Sequence, residues 1–247
     1  MTLGGILFIR CGELYDYCYK EAIKCLQELC DKVVILDAGS DDGTAEIVQA
    51  YEDQNTMVIC LGKEEWEKQQ GREKLAYFQN LALSFLGTDY YFLLQGDEIV
   101  HEGSFSSIRE AISTNQEAFF CTRLNLWGDC DHHIIVDVSK QPCSIHVIRL
   151  AKTNYKSVGD GESIDAMANT EFLNDIIIFH YGFVRKKEVM KAKIINMQEN
   201  VFQLGLHDPK LDGSEVFDST LWFSGNDLAP IYTEHPKFIQ EWVKTRP

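Results

Sequence analysis

Short apolar runs alternate with amphipathic stretches along the first hundred residues of the chain. Four of these runs have the length of buried strands, and they cover residues 6–9, 33–36, 57–61 and 90–94. Between them, apolar side chains recur at helical spacing over residues 14–30, from residue 44 onward and over residues 71–86. A strand–helix–strand order with connections of this length predicts a parallel sheet covered by helices.

The pattern changes after residue 100. One more helix is predicted over 104–113, and strands then follow without long helices between them, over residues 118–126, 134–138 and 144–150. This arrangement indicates an antiparallel or mixed second half of the sheet. The remaining elements are a polar loop at 157–165, a buried strand over 176–179, a helix over 186–206 and a short helix near 235–244.

These elements predict one α/β domain and a tail. We assign residues 1–206 to the domain, with a first half over 1–100 and a second half over 101–206. The last forty residues are irregular and rich in aromatic side chains. We therefore expect residues 207–247 to form a C-terminal extension that packs on the domain or on a second subunit.

Polar side chains stand at the ends of three predicted strands. Asp37 ends the second strand, Gln95-Gly96-Asp97-Glu98 follows the fourth, and His180 ends the strand over 176–179. In an open α/β sheet, ligands bind just beyond the carboxyl ends of the strands, so these groups are expected to converge. Adjacent carboxylates there suit a divalent cation shared with a phosphate. The alternatives are a turn-capping role for Asp37 and a solvated acidic loop at Asp97.

The composition of the chain restricts which kinds of molecule it can bind. The net charge of −15, from 23 basic and 38 acidic residues, argues against a surface built for nucleic acid or anionic lipid, although a local basic pocket for phosphate is compatible with it. The eight cysteines lack metal-ligand spacing, and no stretch approaches the roughly 20 apolar residues of a membrane span. The N-terminal apolar run is too short for a signal peptide, so a soluble cytoplasmic protein is expected.

Two familiar phosphate-binding motifs are missing. The loop after the second strand has neither the GxGxxG pattern of dinucleotide-binding proteins nor the GKS or GKT of a P-loop. Instead, Val33–Thr44 resembles the nucleotide-binding stretch of family 2 glycosyltransferases, and Tyr91–Glu98 resembles their metal-binding strand end. His180–Arg185 is similar to an HYGWVR-type segment of a bacterial and phage-associated branch. The resemblance runs from residue 4 to about residue 190, with a vaguer match at 234–236.

The resemblance implies a fold and an activity. Family 2 enzymes adopt the GT-A fold, a mixed sheet that is mostly parallel in its N-terminal half and flanked by helices. They transfer a sugar from a nucleotide-sugar donor, usually with inversion and with a divalent metal. On this basis Asp37 matches the acid that contacts the donor's base, Arg10 borders the nucleotide, and Arg72 and Lys74 begin a helix that contacts the pyrophosphate.

The resemblance also implies a metal site, with one departure. Asp97 matches the last acid of the DxD motif, and His180 matches a C-terminal metal ligand, so Mn²⁺ or Mg²⁺ is the expected cofactor. Gln95 stands where the motif has its first acid, and Ala38 replaces the second acid after Asp37. A glutamine at 95, beside Gly96, can still hydrogen-bond a ribose hydroxyl or a metal-bound water, but it weakens charge-driven metal affinity.

Direct displacement at the sugar needs one general base for the acceptor hydroxyl. The acidic loop over 159–165 lies between the two halves of the sheet, where the family places its base. Glu162 is the first candidate, Asp160 the second and Asp165 the third, and the alternative for each is a solvated acidic turn. Near His180, a basic patch either holds the diphosphate or forms a solvated helix face: Lys186, Lys187, Lys191 and Lys193.

Three functions follow from these observations. The favoured one is a metal-dependent inverting glycosyltransferase that uses a nucleotide-sugar donor, with a UDP-sugar first, and a hydroxyl acceptor on a glycan, a small molecule or a modified nucleobase. The second is a degenerate GT-A domain that binds a nucleotide-sugar or a protein partner without turnover, as Gln95 and Ala38 suggest. The third is a sugar-phosphate nucleotidyltransferase, which residues 10–13 match poorly because they are neither glycine-rich nor strongly basic.

Overall fold

The computed structural model describes residues 1–135, 146–165, 169–202 and 227–246. The strands are β1 (Leu3–Ile9), β2 (Lys32–Asp37), β3 (Thr56–Cys60), β4 (Tyr90–Leu93), β5 (Glu98–Val100), β6 (Ala118–Trp127), β7 (His132–Ile135), β8 (His146–Lys152), β9 (Ser157–Val158), β10 (Ser163–Ile164), β11 (Thr170–Phe183) and β12 (Asp227–Pro230). The helices are α1 (Tyr19–Leu29), α2 (Thr44–Gln49), α3 (Lys63–Lys68), α4 (Glu73–Leu83), α5 (Phe105–Ser113), α6 (Lys187–Asn196) and α7 (Gln240–Val243). A 3₁₀ turn at Glu102–Ser104 precedes α5, and a π-helical turn at Met197–Phe202 follows α6.

One mixed sheet organises the molecule, in the order β12-β7-β6-β8-β4-β1-β2-β3. β3, β2, β1 and β4 are mutually parallel, which confirms the predicted N-terminal half. β8 then runs antiparallel to both β4 and β6, so the second half is mixed, as the pattern also predicted. The long strand β11 pairs in parallel with β6 and in antiparallel with β5.

Burial explains why these segments fold as they do. The four residues of β4 are buried on both faces, as expected for a strand in the middle of a helix-covered sheet. The apolar side of α1 packs on the same core, with Tyr19, Ala22, Ile23 and Leu26 completely buried. Each large apolar side chain removed from water in this way contributes roughly 1.5–3 kcal/mol to folding.

Several boundaries differ from the sequence prediction. The helix predicted over 14–30 begins only at Tyr19, because Cys11 and Asp16 both have φ of 51° and the turn they form cannot continue a right-handed helix. The strand predicted over 176–179 is the middle of the longer β11. The short elements α3 and β5 were not predicted, since six and three residues are too few to show a periodicity.

Parts of the predictions lie outside the described residues. These are residues 136–145 between β7 and β8, 203–206 at the end of the helix predicted over 186–206, and most of the tail predicted from 207. The α-helical part of that helix ends at Asn196. The short helix predicted near 235–244 is α7, and it is shorter than predicted.

The described part of the tail, 227–246, packs on the domain. β12 extends the sheet by pairing with β7, and the side chain of Ile239 is fully buried in the core. The hydroxyl of Tyr181, on β11, lies 2.8 Å from Nδ1 of His235. The division of the chain at residue 206 remains a prediction.

The contact between Tyr181 and His235 predicts a pH dependence of stability. Burial is the main effect on His235, and it lowers the pKa of the imidazole. The folded protein therefore binds this proton less readily than the unfolded chain does. We expect the free energy of unfolding to fall as the pH decreases below about 6.5.

The measurement is urea unfolding at several pH values between about 7 and 5, compared with the variant His235→Asn, which keeps an acceptor but does not titrate there. Wild type should lose more stability than the variant across this range. Equal losses of stability in the two proteins would show that His235 does not contribute to the pH dependence.

Candidate active site

A cavity of about 470 Å³ opens at the carboxyl ends of β1 and β4. Because these two strands are neighbours in the sheet, Arg10 after β1 and the Gln95–Asp97 turn after β4 reach the same space. The predicted site residues that line it are Arg10, Gln95, Gly96, Asp97, Asp160, Glu162 and His180. The fold brings these seven residues to one cavity, whereas Asp37, Arg72 and Lys74 are not among its lining residues.

Strand β5 brings His180 to this edge. It begins at Glu98, directly after the turn, and its antiparallel pairing with β11 sets His180 opposite Glu98. The backbone N–H of Tyr181 donates to the carbonyl of Asp97 at 2.8 Å. As a result, His180 Nε2 lies 3.7 Å from Asp97 Oδ1, and its Nδ1 lies 2.8 Å from Asn125 Oδ1.

Two cations also face Asp97. Lys193 Nζ, from α6, donates to Asp97 Oδ2 at 2.9 Å, and a guanidinium nitrogen of Arg185 lies 3.7 Å from the same oxygen. The side chain of Asp97 is only 7% exposed, and burial by itself would raise its pKa. Lys193, His180 and Arg185 outweigh that effect and hold the pKa of Asp97 well below its usual range.

These side chains do not fit a Mn²⁺ or Mg²⁺ site. Such ions are usually held by one or two carboxylates together with phosphate oxygens of the substrate, and within the described residues no three His, Cys, Asp or Glu side chains are grouped to hold a metal without them. Asp97 and His180 form only a pair, and the ammonium of Lys193 already occupies the carboxylate. Gln95, at the position of the missing acid, donates its amide to Glu162 Oε1 at 2.7 Å. No catalytic step is therefore assigned to a metal.

The second acid of the turn, Glu98, belongs to a separate buried network. Arg149 binds both of its oxygens, at 2.8 and 2.9 Å, and neither side chain is exposed to solvent. Arg149 also donates to Glu162 Oε2 at 3.0 Å, and Arg123 donates to the same oxygen at 2.9 Å. The backbone N–H of Gln95 donates to Glu98 at 3.1 Å. The network thus connects the turn after β4 with the acidic loop.

This network changes the expectation for Glu162. Burial opposes its ionisation, but Arg149 and Arg123 reverse that effect and lower the pKa of Glu162 to about 2. A carboxylate with so low a pKa, held by two arginines and an amide, is a weak proton acceptor at neutral pH. The geometry favours a positioning role for Glu162, in which it orients Gln95 at the cavity.

Asp160 is better placed to accept a proton. It lies in the turn between β9 and β10, between Gly159 and Gly161, whose φ values of 62° and 81° suit glycine. Its carboxylate lines the cavity and has no hydrogen bond or ion pair within the described residues. Asp165, the third candidate, is exposed and accepts from the backbone N–H of Lys156 at 2.9 Å, so it stabilises the base of the same loop.

An aromatic residue that was not among the predicted site residues borders the cavity near Arg10. Trp66, on the unpredicted helix α3, stacks on Phe78 and lies 4.8 Å from the guanidinium of Arg10. Within the described residues, Nε of Arg10 is buried without a hydrogen-bond partner. Lys74 Nζ lies 4.6 Å from the Trp66 ring and donates to the carbonyl of Asn200 at 2.8 Å. Lys74 is thus held beside Trp66 at this wall of the cavity.

The other predicted donor contacts lie elsewhere. The Asp37 carboxylate is buried and accepts from the backbone N–H groups of Gly39, at 3.1 Å, and Ser40, at 2.9 Å, as well as from the Ser40 hydroxyl. Burial, the largest effect, raises the pKa of Asp37. Asp37 therefore acts as a turn aspartate in this structure, and Arg72 is exposed at the start of α4. Their contacts with a nucleotide remain predictions.

Comparisons with known proteins identify the fold. No protein-family model matches the sequence, and neither does any curated protein. The structure of S. aureus TarS 1–349 aligns with a TM-score of 0.50 and 14% identity, over 91% of this chain and 73% of that one. Its complex with UDP aligns over the same shares, at the same identity, with a TM-score of 0.51.

A third structure shows weaker similarity. It is M. tuberculosis glucosyl-3-phosphoglycerate synthase in complex with Mn²⁺, UDP and glucosyl-3-phosphoglycerate, and it aligns with a TM-score of 0.48 and 15% identity over 72% of this chain and 71% of that one. The sheet topology and the TarS alignments confirm the predicted fold class: the chain has the GT-A-type fold of nucleotide-diphospho-sugar transferases. Within the described ranges, no helix is long and apolar enough to cross a membrane.

The buried network predicts a large stability effect. Arg149→Met would leave Glu98 buried with the 3.3 Å contact from Arg123 as its one ion pair among the described residues, so we expect a loss of about 3–5 kcal/mol in the free energy of unfolding. The exposed ion pair between Arg109 and Asp31 provides the control, and Arg109→Met should cost less than about 1 kcal/mol. Denaturant unfolding measures both, and equal small losses would contradict a structural role for Arg149.

Proposed function

We propose that this protein is an inverting glycosyltransferase that moves a sugar from a nucleoside-diphosphate sugar to a hydroxyl acceptor. The observation that carries the proposal is the cavity at the carboxyl edge of a GT-A sheet. It contains a carboxylate without a described partner, Asp160, together with two cations that suit a diphosphate, Arg10 and Lys193. The UDP complex of TarS supports a uridine nucleotide as the first donor to test.

The proposed donor lies along the cavity. Its nucleoside would lie near Arg10, beside the wall that includes Trp66, where a guanidinium suits a phosphate. The loop held by Asp37 would border the base, as the resemblance implies. The diphosphate would then extend toward Lys193, and the sugar toward Gln95 and the acidic loop.

The proposed reaction is a single displacement at C1 of the sugar. The acceptor oxygen forms a bond to C1, the bond from C1 to the β-phosphate oxygen breaks, and its electron pair leaves with the nucleoside diphosphate. The proton of the acceptor hydroxyl passes to the carboxylate of Asp160. Glu162, held by Arg149 and Arg123, keeps Gln95 in place at the wall of the site during transfer. Cations near the leaving group stabilise the charge that develops there.

Exchanging the two candidate bases tests this assignment. Asp160→Asn should lower kcat for transfer, or for donor hydrolysis with water as acceptor, by about 10²–10⁴-fold and leave donor binding nearly unchanged. Glu162→Gln should have a smaller effect on kcat and should also lower the thermal stability, because it breaks two ion pairs. If Glu162→Gln abolished turnover in a folded protein while Asp160→Asn kept more than about a tenth of kcat, Glu162 would be the base.

A ligand screen tests the function itself. Thermal unfolding with UDP, ADP, GDP, CDP and dTDP, and with their hexose conjugates, should show an increase in Tm for one base, because ligands that bind the native state stabilise it. Release of nucleoside diphosphate from the matching sugar conjugate should follow. Binding without turnover would instead support the non-catalytic alternative, and release of pyrophosphate from a nucleoside triphosphate with a sugar phosphate would indicate a nucleotidyltransferase.

A further inference from the structure

We infer that Lys193, supported by Arg185, takes the place of the divalent metal ion, so that this protein binds and cleaves the diphosphate of its donor without Mn²⁺ or Mg²⁺. The inference rests on the proposed function and specifies how its leaving group is stabilised. It departs from what the resemblance to family 2 glycosyltransferases implies, and it comes from the side chains that surround Asp97.

The position of Lys193 supports this role. Helix α6 carries its side chain into the cavity, where it is 13% exposed and lies beside Asp97 and His180. Nζ donates to Asp97 Oδ2 at 2.9 Å and to the carbonyl of Gly182 at 3.0 Å. An ammonium has three N–H donors, and the third finds no acceptor within the described residues. Lys193 is thus anchored on one side and has a donor left for an anion.

The local charge also favours an anion. One carboxylate, Asp97, faces two cations. Lys193 donates to it, and the fully buried Arg185 lies 3.7 Å from it. Nε and Nη1 of Arg185 have no hydrogen-bond partner within the described residues. Two cations on one carboxylate leave a positive excess in a chain whose net charge is −15. A diphosphate would neutralise that excess, whereas a divalent cation would increase it at a high desolvation cost.

Two further acids near the site, Glu98 and Glu162, are not free to coordinate a metal. Glu98 and Glu162 share Arg149 and Arg123, so their lone pairs are already used by guanidinium groups. His180 Nε2 lies 3.7 Å from Asp97 Oδ1, and among the described side chains no group of three His, Cys, Asp or Glu is placed to hold a metal. In this site Asp97 therefore holds the side chain of Lys193 in position and partly neutralises its positive charge.

The chemical step is the one proposed above. When the C1–O bond breaks, its electron pair goes to the β-phosphate oxygen, and the free N–H of Lys193 donates a hydrogen bond to the diphosphate while the ammonium stays protonated. The acceptor's proton still goes to Asp160, so Lys193 acts only by charge and hydrogen bonding. Loss of one such donor typically lowers a rate about 10²–10³-fold.

The first test uses wild-type protein in excess chelator and, separately, with Mn²⁺ or Mg²⁺. Calorimetry measures binding of the nucleoside diphosphates named above and of inorganic pyrophosphate, and a product assay measures hydrolysis of the sugar conjugates. We expect equal affinity and turnover, within about twofold, under both conditions, and no binding of Mn²⁺ alone. Binding or turnover that requires the metal would overturn this inference alone. Failure to bind any nucleoside diphosphate with or without metal would overturn the proposed function, and the inference with it.

The second test asks whether Lys193 in particular, and not just any lysine of the chain, binds the diphosphate. Lys193→Gln should weaken pyrophosphate binding and lower turnover in chelator about a hundredfold, while binding of the uncharged nucleoside stays unchanged. Lys193→Arg should restore most of the pyrophosphate affinity, because it keeps the charge. Lys24→Gln, at an exposed position of α1, is the control and should behave as wild type.

Unchanged pyrophosphate affinity in folded Lys193→Gln would exclude this role for Lys193. If that variant does not fold, Lys193→Arg and the chelator comparison with wild type still decide the question.

Discussion

The site depends on two adjacent carboxylates that are paired with different cations. Asp97 and Glu98 follow the central strand β4, and neighbouring residues at the start of a strand point to opposite sides of the sheet. Asp97 therefore meets Lys193, Arg185 and His180, while Glu98 meets Arg149 and Arg123. A buried carboxylate is tolerated only when it is paired and hydrogen-bonded, so each acid determines where a set of basic side chains must lie.

The Glu98 network links the two halves of the sheet. Arg149 stands on β8 and Arg123 on β6, both in the second half, and they connect Glu98 after β4 with Glu162 in the acidic loop. Through the hydrogen bond between Gln95 and Glu162, the network also fixes the turn that lines the cavity. Glu162, the first candidate for the general base, therefore holds the acidic loop in place. Asp160, two residues earlier, has no partner among the described residues.

The charge around the cavity differs from the net charge of the chain. The chain is strongly acidic, yet Lys193 and Arg185 both face one carboxylate, Asp97, and Arg10 lines the same cavity as Lys193. The acidic surface argues against large anionic partners, whereas the cavity suits a small one. In the proposed reaction, this excess of cations is available where negative charge develops on the leaving diphosphate.

The sequence by itself determined the parallel half of the sheet, the mixed second half and the strand ends at which polar residues gather. Apolar runs and helical spacing are local properties, so they can be read along the chain. Seven of the donor, metal and base residues that it suggested line the cavity, and so does Lys193 of the basic patch. The motif resemblance that named the GT-A fold in advance is also local, since it lies in short segments at those strand ends.

Only the tertiary structure decided which acid faces which cation. Lys193 lies 96 residues from Asp97, and Arg149 lies 51 residues from Glu98, so no sequence spacing links the partners. The ionisation of Glu162, the open position of Asp160 and the place of Trp66 beside Arg10 depend on those distant contacts. Charge pairing acts through space and is strongest where water is excluded, and burial is a property of the folded chain that the sequence alone does not show.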